Sequence, residues 1–434
     1  MPSENNMNDY DNTINYLYSL QNFGIKLGLT NITALLRRLG SPHEAYKTIH
    51  IAGTNGKGST ASALESVLLK EGYRVGLYTS PHLVDFKERF RVNGKDIDEQ
   101  SIVRLTKIIR ARKDDLNIDS EITFFEYTTA LAFCYFMEQD VDIAIIEVGM
   151  GGRLDATNVL TPMVSVITSI SKEHEQYLGD TLEEIAGEKA GIIKEDIPVV
   201  LSANDDRVVK VVEQIAKKKR AKLHRQNQGF EYIVRRDGTF DYHGINKAYA
   251  YLEKGLLGAH QYSNFTTALA ALEVISDKGF SVSEESVRTG LKTARWPGRF
   301  EVVSDTPLII LDGAHNNESM ETAVKTLSEH YADKRVITVL GVMKDKDVSG
   351  IIERVERVSD NVIITKPEID RAASPDELAG LFSGDKEVVT TVSVDEALNR
   401  AKEMTDTDSL IFVTGSLFTV GDAKRHLDAR HLNT

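Results

Sequence analysis

Five short apolar runs stand out in the first half of the chain: "TIHIAG" from Thr48, "RVGLYTS" from Arg74, "DIAIIEVG" from Asp142, "SVITSI" from Ser165 and "IPVVLSA" from Ile197. Runs apolar at nearly every position predict strands buried on both faces of a parallel sheet. Between them, "SALESVLLKEG" and "FEYTTALAFCYFMEQ" carry a helical period. Strand and helix in alternation predict a doubly wound α/β domain. The texture then changes. "FEYIVRRDGTFDYHG" is two alternating runs around Asp237-Gly238, the pattern of a β-hairpin, and "QYSNFTTALAALEVISDKG" is a helix. "KTARWPGRFEVV" holds the only Trp beside a Pro and a Gly, and marks a domain junction. After it come "PLIILDGAHN", "RVITVLGV", "NVIITKP", "EVVTTVS" and "SLIFVTGS", five more strands. The expected division is residues 1–297 and a smaller α/β domain, 298–434.

A chain of 434 residues exceeds one ordinary core, in keeping with two domains. The net charge of −13 argues against non-specific nucleic-acid binding, and an anionic substrate would need a local basic pocket. The one cysteine, Cys134, excludes an intrachain disulfide and reads as core within "ALAFCYF". The start, "MPSENNMNDYDN", has neither the apolar core of a signal peptide nor the basic character of a transit peptide. No apolar run reaches membrane-spanning length, so no membrane partner and a cytoplasmic location are expected.

The first strand runs into Gly53, Thr54, Asn55, Gly56, Lys57, Gly58 and Ser59. The common phosphate loop places the hydroxyl residue directly after the lysine; here Gly58 intervenes. The physical logic survives, because glycines let backbone N–H groups curl round phosphate oxygens and the next helix points its N-terminus at the anion. Such a loop needs a divalent metal. Glu147 ends a buried strand, Ser80 ends another, and His174 follows a third, so all three are candidate ligands.

"HIAGTNGKGST", "TSPHL", "TFFEYTTALAF", "EVGMGGRLDATN", "LGDTLEEIAGEKAGI", "HQYSN", "PGRFE", "DGAHN" and "GSLFTVG" occur in this order. Together they resemble the folylpolyglutamate synthase and dihydrofolate synthase family of the Mur ligase superfamily, from about Gly24 to Asp422. The resemblance implies a P-loop central domain of Mur ligase type, with a small β-hairpin region, followed by a Rossmann-like domain that binds glutamate. It implies an ATP-dependent amide ligase. ATP converts a substrate carboxylate to an acyl phosphate, and the amino group of L-glutamate displaces phosphate. The acceptor is dihydropteroate, a reduced folate or both. The implied cofactors are two Mg²⁺ ions, a carbamylated lysine and a monovalent cation. A monomer is expected, because the candidate site residues all lie within one chain.

The resemblance carries over residue by residue. Gly53 to Ser59 contact ATP phosphates, with Lys57 acting in catalysis. Ser80, Glu147 and His174 hold metal, joined by Lys189 once carbamylated. Asn264, Arg299 and Asp312 meet the nucleotide, and His315 helps the incoming glutamate, which Ser416 also touches. Thr123, Phe124, Phe125 and Glu126, with Leu154, Asp155 and Ala156, form the pterin site. Two aromatic faces and a carboxylate suit a flat heterocycle with hydrogen-bond donors, although the same phenylalanines also fit a helix core. "GIKLGL" resembles a lid over Ile25 to Leu29. The chain departs from the family at Glu173, where Asp is frequent before the metal histidine, and at Asn317, where Pro is frequent after "DGAHN". Two readings from other classes are a phosphate-loop ATPase switch with a protein partner and a folate-binding protein without catalysis. The full set of motifs that resemble the ligase family weighs against the switch, and intact Lys57, Glu147 and His174 weigh against a binding protein without catalysis.

Overall fold

The computed structural model describes residues 4–24, 26–114, 121–382 and 386–431. Of the expected lid, Ile25 lies outside them, and Lys26–Leu29 have no regular secondary structure. The chain forms two compact units, one of Met1–His82, Phe86–Lys254 and Tyr262–Ala294, the other of Leu83–Asp85, Gly255–Gln261 and Arg295–Thr434.

The first unit is built on an eight-stranded sheet. Its strands are β1 (Lys47–Ala52), β2 (Val75–Tyr78), β3 (Phe90–Val92), β4 (Lys95–Asp96), β5 (Ile143–Glu147), β6 (Val164–Ile167), β7 (Val199–Leu201) and β8 (Leu223–Arg225), in the order β4-β3-β2-β5-β1-β6-β7-β8. β1 lies between β5 and β6 and runs parallel to both, with Ile49 level with Ile145 on one side and Val164 on the other. The five apolar runs are therefore β1, β2, β5, β6 and β7. β3 and β4 add an antiparallel edge joined by Asn93-Gly94, both at positive φ (52° and 73°), the backbone a two-residue hairpin turn needs. Cys134 is buried in the helix Phe124–Glu138, where burial pushes its thiol up to about 12.

The expected hairpin is two strands of a three-stranded antiparallel sheet: β9 (Glu231–Val234), β10 (Phe240–His243) and β11 (Ala248–Leu252). Glu273 of the helix His260–Ser276 fixes the added strand. Its carboxylate accepts from Tyr242 Oη at 2.6 Å and from the backbone N–H groups of Ile245, Asn246 and Lys247, the turn between β10 and β11.

The second unit holds β12 (Glu301–Asp305), β13 (Leu308–Leu311), β14 (Arg335–Leu340), β15 (Asn361–Ile364), β16 (Glu387–Thr390) and β17 (Ser409–Thr414), in the order β12-β13-β17-β14-β15-β16. All neighbours are parallel except β12 and β13. Ile310, Leu340 and Phe412 face one apolar core with the helices Asn317–His330 and Val348–Val358. Ile309, Leu311, Ile337 and Val413 face another with Val394–Met404 and Leu417–His431. Two covered faces are why these strands are apolar at successive positions.

Candidate active site

In the first unit, three strand exits meet. β1 leads into the glycine loop, β5 into residues 148–157, and β6 into residues 168–174. The glycine loop is tied to the β6 exit. Thr54 N donates to Ser169 O at 2.7 Å, Thr168 Oγ1 donates to Asn55 O at 2.7 Å, and the Thr54 hydroxyl donates to Ser171 O. Two glycines are required by this geometry. A Cβ on Gly53 (φ 152°) would stand 1.8 Å from Thr168 Oγ1, and one on Gly56 (φ 87°) would stand 2.4 Å from Asn264 Oδ1. Gly56 caps the helix Lys57–Glu71, which carries Gly58 and the buried Ser59 in its first turn. The next hydroxyl, Thr60 Oγ1, is sealed from solvent without a hydrogen-bond partner.

Three charged side chains gather on this loop. Lys57 Nζ donates to Gly53 O and Thr54 O at 3.1 and 3.0 Å and lies 4.0 Å from Glu147 Oε1. Glu147 is buried, and its other oxygen accepts from Ser80 N at 3.4 Å. Lys189, in the helix Leu182–Ala190, is 3% exposed and donates from Nζ to Gly53 O at 2.8 Å. Burial, reinforced by the charge of Lys57, lowers its pKa from 10.5 to about 7, against the opposing pull of Glu173 and Asp155. His174 has a left-handed backbone (φ 53°) at the start of the turn Glu175–Leu178, with Nε2 3.7 Å from Glu173 Oε1.

The loop after β5 is shaped by Asp155. Its carboxylate accepts from the N–H groups of Gly149, Met150 and Thr157 and from the Thr157 hydroxyl. Thr157 Oγ1 also lies 2.8 Å from Nε2 of His50, a fully buried side chain on β1. Ala156 is buried beside Asp155, and Leu154 is half-buried. The His50–Thr157–Asp155 chain was not anticipated from sequence. Its signal was a lone polar residue at the centre of an apolar strand.

Thr123 and Glu126 close a capping box. Glu126 N donates to Thr123 Oγ1, and Glu126 Oε2 accepts from Thr123 N and Oγ1 at 2.8 Å. That carboxylate therefore starts its own helix, and burial raises its pKa. Phe124 and Phe125 are both half-buried. Phe124 stacks on Tyr18, with centroids 5.9 Å apart. Phe125 lies where a Cβ on Gly149 would be, 2.4 Å from its Cζ, so that ring abuts the loop that follows Glu147.

In the second unit, the exits of β13 and β17 adjoin. Asp312 is half-buried, accepts from Phe300 N and Ala314 N, and has its pKa raised by desolvation against the opposing charges of Arg299 and His315. A Cβ on Gly313 would stand 2.6 Å from Arg299 Nη1, so the guanidinium lies over this turn. His315 Nδ1 is 2.7 Å from Gly313 O. Ser416 is buried. Its Oγ accepts from Thr419 N at 3.0 Å and pairs with Thr419 Oγ1, which caps the helix Leu417–His431. Gly415 N donates to Ala314 O, joining the two exits. At the departure Asn317, Nδ2 donates to Asp347 Oδ2 at 2.6 Å, and Asn316 supplies the helix cap.

A magnesium nucleotide fits the first unit. The glycine loop has no room for a Cβ at Gly53 or Gly56, and the Thr60 hydroxyl in its helix lacks a partner. Ser80, Glu147 and His174 offer oxygen and imidazole donors. Among the described residues, no three His, Cys, Asp or Glu side chains gather as a metal cage. Magnesium suits such a site, because it takes one or two carboxylates and completes its shell with phosphate oxygens and water.

Residues 51–272 match the Mur ligase middle domain, and residues 298–417 the Mur ligase glutamate ligase domain. The dihydrofolate synthase/folylpolyglutamate synthase of Bacillus subtilis is 34% identical over 96% of this chain and 99% of its own length. The structure of Escherichia coli FolC in complex with DHPP and ADP superposes with a TM-score of 0.89 at 33% identity, covering 96% of this chain and 98% of that one. The bifunctional synthase of Yersinia pestis with Mn, AMPPNP and L-glutamate bound superposes at 0.86 and 32% identity, over 96% and 98% of the two chains. The glycine loop, the strand-exit residues and matches spanning both units place this chain in the folylpolyglutamate synthase/dihydrofolate synthase family of the Mur ligases.

Proposed function

We propose that this chain joins L-glutamate both to dihydropteroate and to reduced folates, with residues 1–297 binding ATP and the pterin and residues 298–434 binding glutamate. The observation that carries the reading is the buried Lys189 amine on the Gly53 carbonyl, inside the phosphate loop of an ATP-dependent ligase. A carboxylate oxygen of the acceptor attacks the γ-phosphorus of ATP, forming an acyl phosphate and releasing ADP. The glutamate nitrogen then attacks the acyl carbon, the C–O bond to phosphate breaks, and the nitrogen sheds a proton. The products are amide, ADP and phosphate.

The first step brings a carboxylate to the anionic triphosphate, and the second builds negative charge on the acyl oxygen and the departing phosphate, so positive charge must be fixed in advance. Lys57 supplies it at the loop, and Arg299 supplies it from the second domain. Ser80, Glu147 and His174 would hold Mg²⁺, which when bound neutralises phosphate charge. Asn264 borders the loop at Gly56 and contacts the nucleotide, as does Asp312. His315 orients the glutamate amine with Ser416 nearby. Thr123–Glu126 and Leu154–Ala156 line the pterin site, the carboxylates of Glu126 and Asp155 shaping its walls. Lys189 is the site of carbamylation. A carbamate forms on a neutral amine, and burial supplies one near neutral pH. The resulting anion would answer the positive charge of Lys57 and add an oxygen donor for metal.

The test is phosphate release from ATP and Mg²⁺ with dihydropteroate, tetrahydrofolate or neither, each with and without L-glutamate. Release that requires glutamate and occurs with both acceptors is expected. Release with one acceptor would narrow the enzyme to that activity. Release that ignores acceptor and glutamate would end the ligase reading.

A further inference from the structure

Arg89 plays no part in the account above, yet it is one of the most deeply placed cations in the first unit. It is 7% exposed. It closes the turn Phe86–Arg89 just before β3, and its carbonyl accepts from Thr79 N at 3.2 Å. That places it beside the exit of β2, one residue from Ser80. Its Nε donates to His82 Nδ1 at 2.8 Å. Because Nδ1 accepts, the neutral His82 ring carries its proton on Nε2, which faces Tyr18 Oη at 3.4 Å. The guanidinium carbon lies 5.3 Å from the centre of the Phe124 ring and 6.0 Å from that of Phe86.

Nε is the one guanidinium nitrogen with a hydrogen-bond acceptor among the described residues. Neither Nη is among the atoms sealed from solvent without a partner, so both keep an opening. Burial lowers the arginine's pKa, and Glu147 is close enough for its charge to oppose that shift. A guanidinium taken from bulk water with one of five N–H groups satisfied is expensive. The Nη fork is also the side-chain shape that binds a carboxylate through two parallel hydrogen bonds.

We propose that Arg89 binds the carboxylate of the pterin acceptor and presents it for phosphorylation. The assignment rests on the ligase reading above. It gives one ligand two neighbouring contacts, an aromatic face at Phe124 for its ring system and a fork at Arg89 for its anionic end. It also places the carboxylate near Ser80 and Glu147, where the phosphate is to be transferred. An arginine that merely braces Phe124 would be indifferent to the charge of the ligand.

That difference defines the experiment. The affinities of dihydropteroate and of its neutral carboxamide are measured with the full-length enzyme in the presence of ADP, for wild type, Arg89→Gln and Arg89→Lys. Wild type should prefer the acid on the order of 30-fold, the scale of a charge-assisted pair. Arg89→Gln should bind both within about three-fold of each other, and Arg89→Lys should fall between, since it keeps charge but loses the fork. Unchanged ADP affinity reports that the variants are folded. A preference for the acid that survives in Arg89→Gln, with ADP binding intact, overturns the assignment and leaves the ligase reading standing. Failure of wild type to bind either pterin overturns the ligase reading, and the assignment with it.

Discussion

A lysine amine walled off from water and resting on a carbonyl is poorly placed to stay a cation, which is the chemical interest of Lys189. Its ordinary pKa is 10.5; in the folded chain it falls to about 7. The neutral amine, the form that reacts with CO₂, therefore becomes the major species above pH 7 instead of above 10.5. Enzyme stripped of CO₂ should regain activity on adding bicarbonate, faster at pH 8 than at pH 6. Lys189→Ala should lose roughly 10²- to 10³-fold in kcat, with partial return in acetate or formate, read by phosphate release. His50 gives a second test at this scale. Burial lowers its pKa from 6.5 to about 3. In the window between those values, the unfolded chain takes up a proton that the folded chain refuses, so stability falls as pH drops from 6.5 towards 3. The loss approaches about 1.4 kcal/mol per pH unit for this one group. Denaturant unfolding at pH 6.5 and 4.5 should show a smaller acid loss in His50→Gln, which keeps a hydrogen-bonding side chain towards Thr157.

At the scale of elements, the strands flanked by helices on both faces were legible because a doubly covered strand has no polar side to interrupt it. β1, β2, β5, β6, β7 and, in the second unit, β13, β14, β15 and β17 were read this way, while the edge strand β16 is only partly covered and was read from its β-branched run. β8 was not, since its three residues, Leu223–Arg225, fall in the basic run "KKKRAKLHR" and show no period. β11 was missed for another reason: Glu273, far along the chain, holds the turn that creates it. The Asn93-Gly94 hairpin did carry a turn signal, but its strands are too short to show alternation. The candidate site was legible in its glycines, its lysine and its strand-end residues. The inward turn of Glu126 did carry a local signal, the Thr-x-x-Glu capping box at Thr123, which the aromatic residues between them obscured. The burial of Lys189 against Gly53, by contrast, depends on packing between segments far apart in the chain. The glycine loop makes the sharpest prediction here. Gly53→Ala combines an unfavourable φ with collision on Thr168, so it should cost on the order of 1–3 kcal/mol of stability. ATP affinity should fall with it, seen as a lower denaturant midpoint and a higher Kd. At the other end of the scale, Ser416→Ala removes a helix cap and should cost about 1 kcal/mol, measured the same way.

The molecule as a whole carries −13, while ATP, pterin and glutamate are all anions under working conditions. The long-range field therefore opposes their approach, and attraction begins only within reach of Lys57 and its neighbours. Raising ionic strength from about 0.01 to 0.15 M shortens the Debye length from roughly 30 to 8 Å. It should screen the repulsion more than the short contacts, so the association rate for ATP should rise with salt instead of falling. Stopped-flow binding would show it, and a fall would assign control to the local cations. What the nucleotide meets on arrival follows from the ties between Thr54, Asn55 and residues 168–171. A loop already fastened to a neighbouring strand exit has no search to complete when phosphate reaches it. Capture then becomes a single encounter, its observed rate climbing in proportion to ATP concentration without levelling towards the speed of a rearrangement.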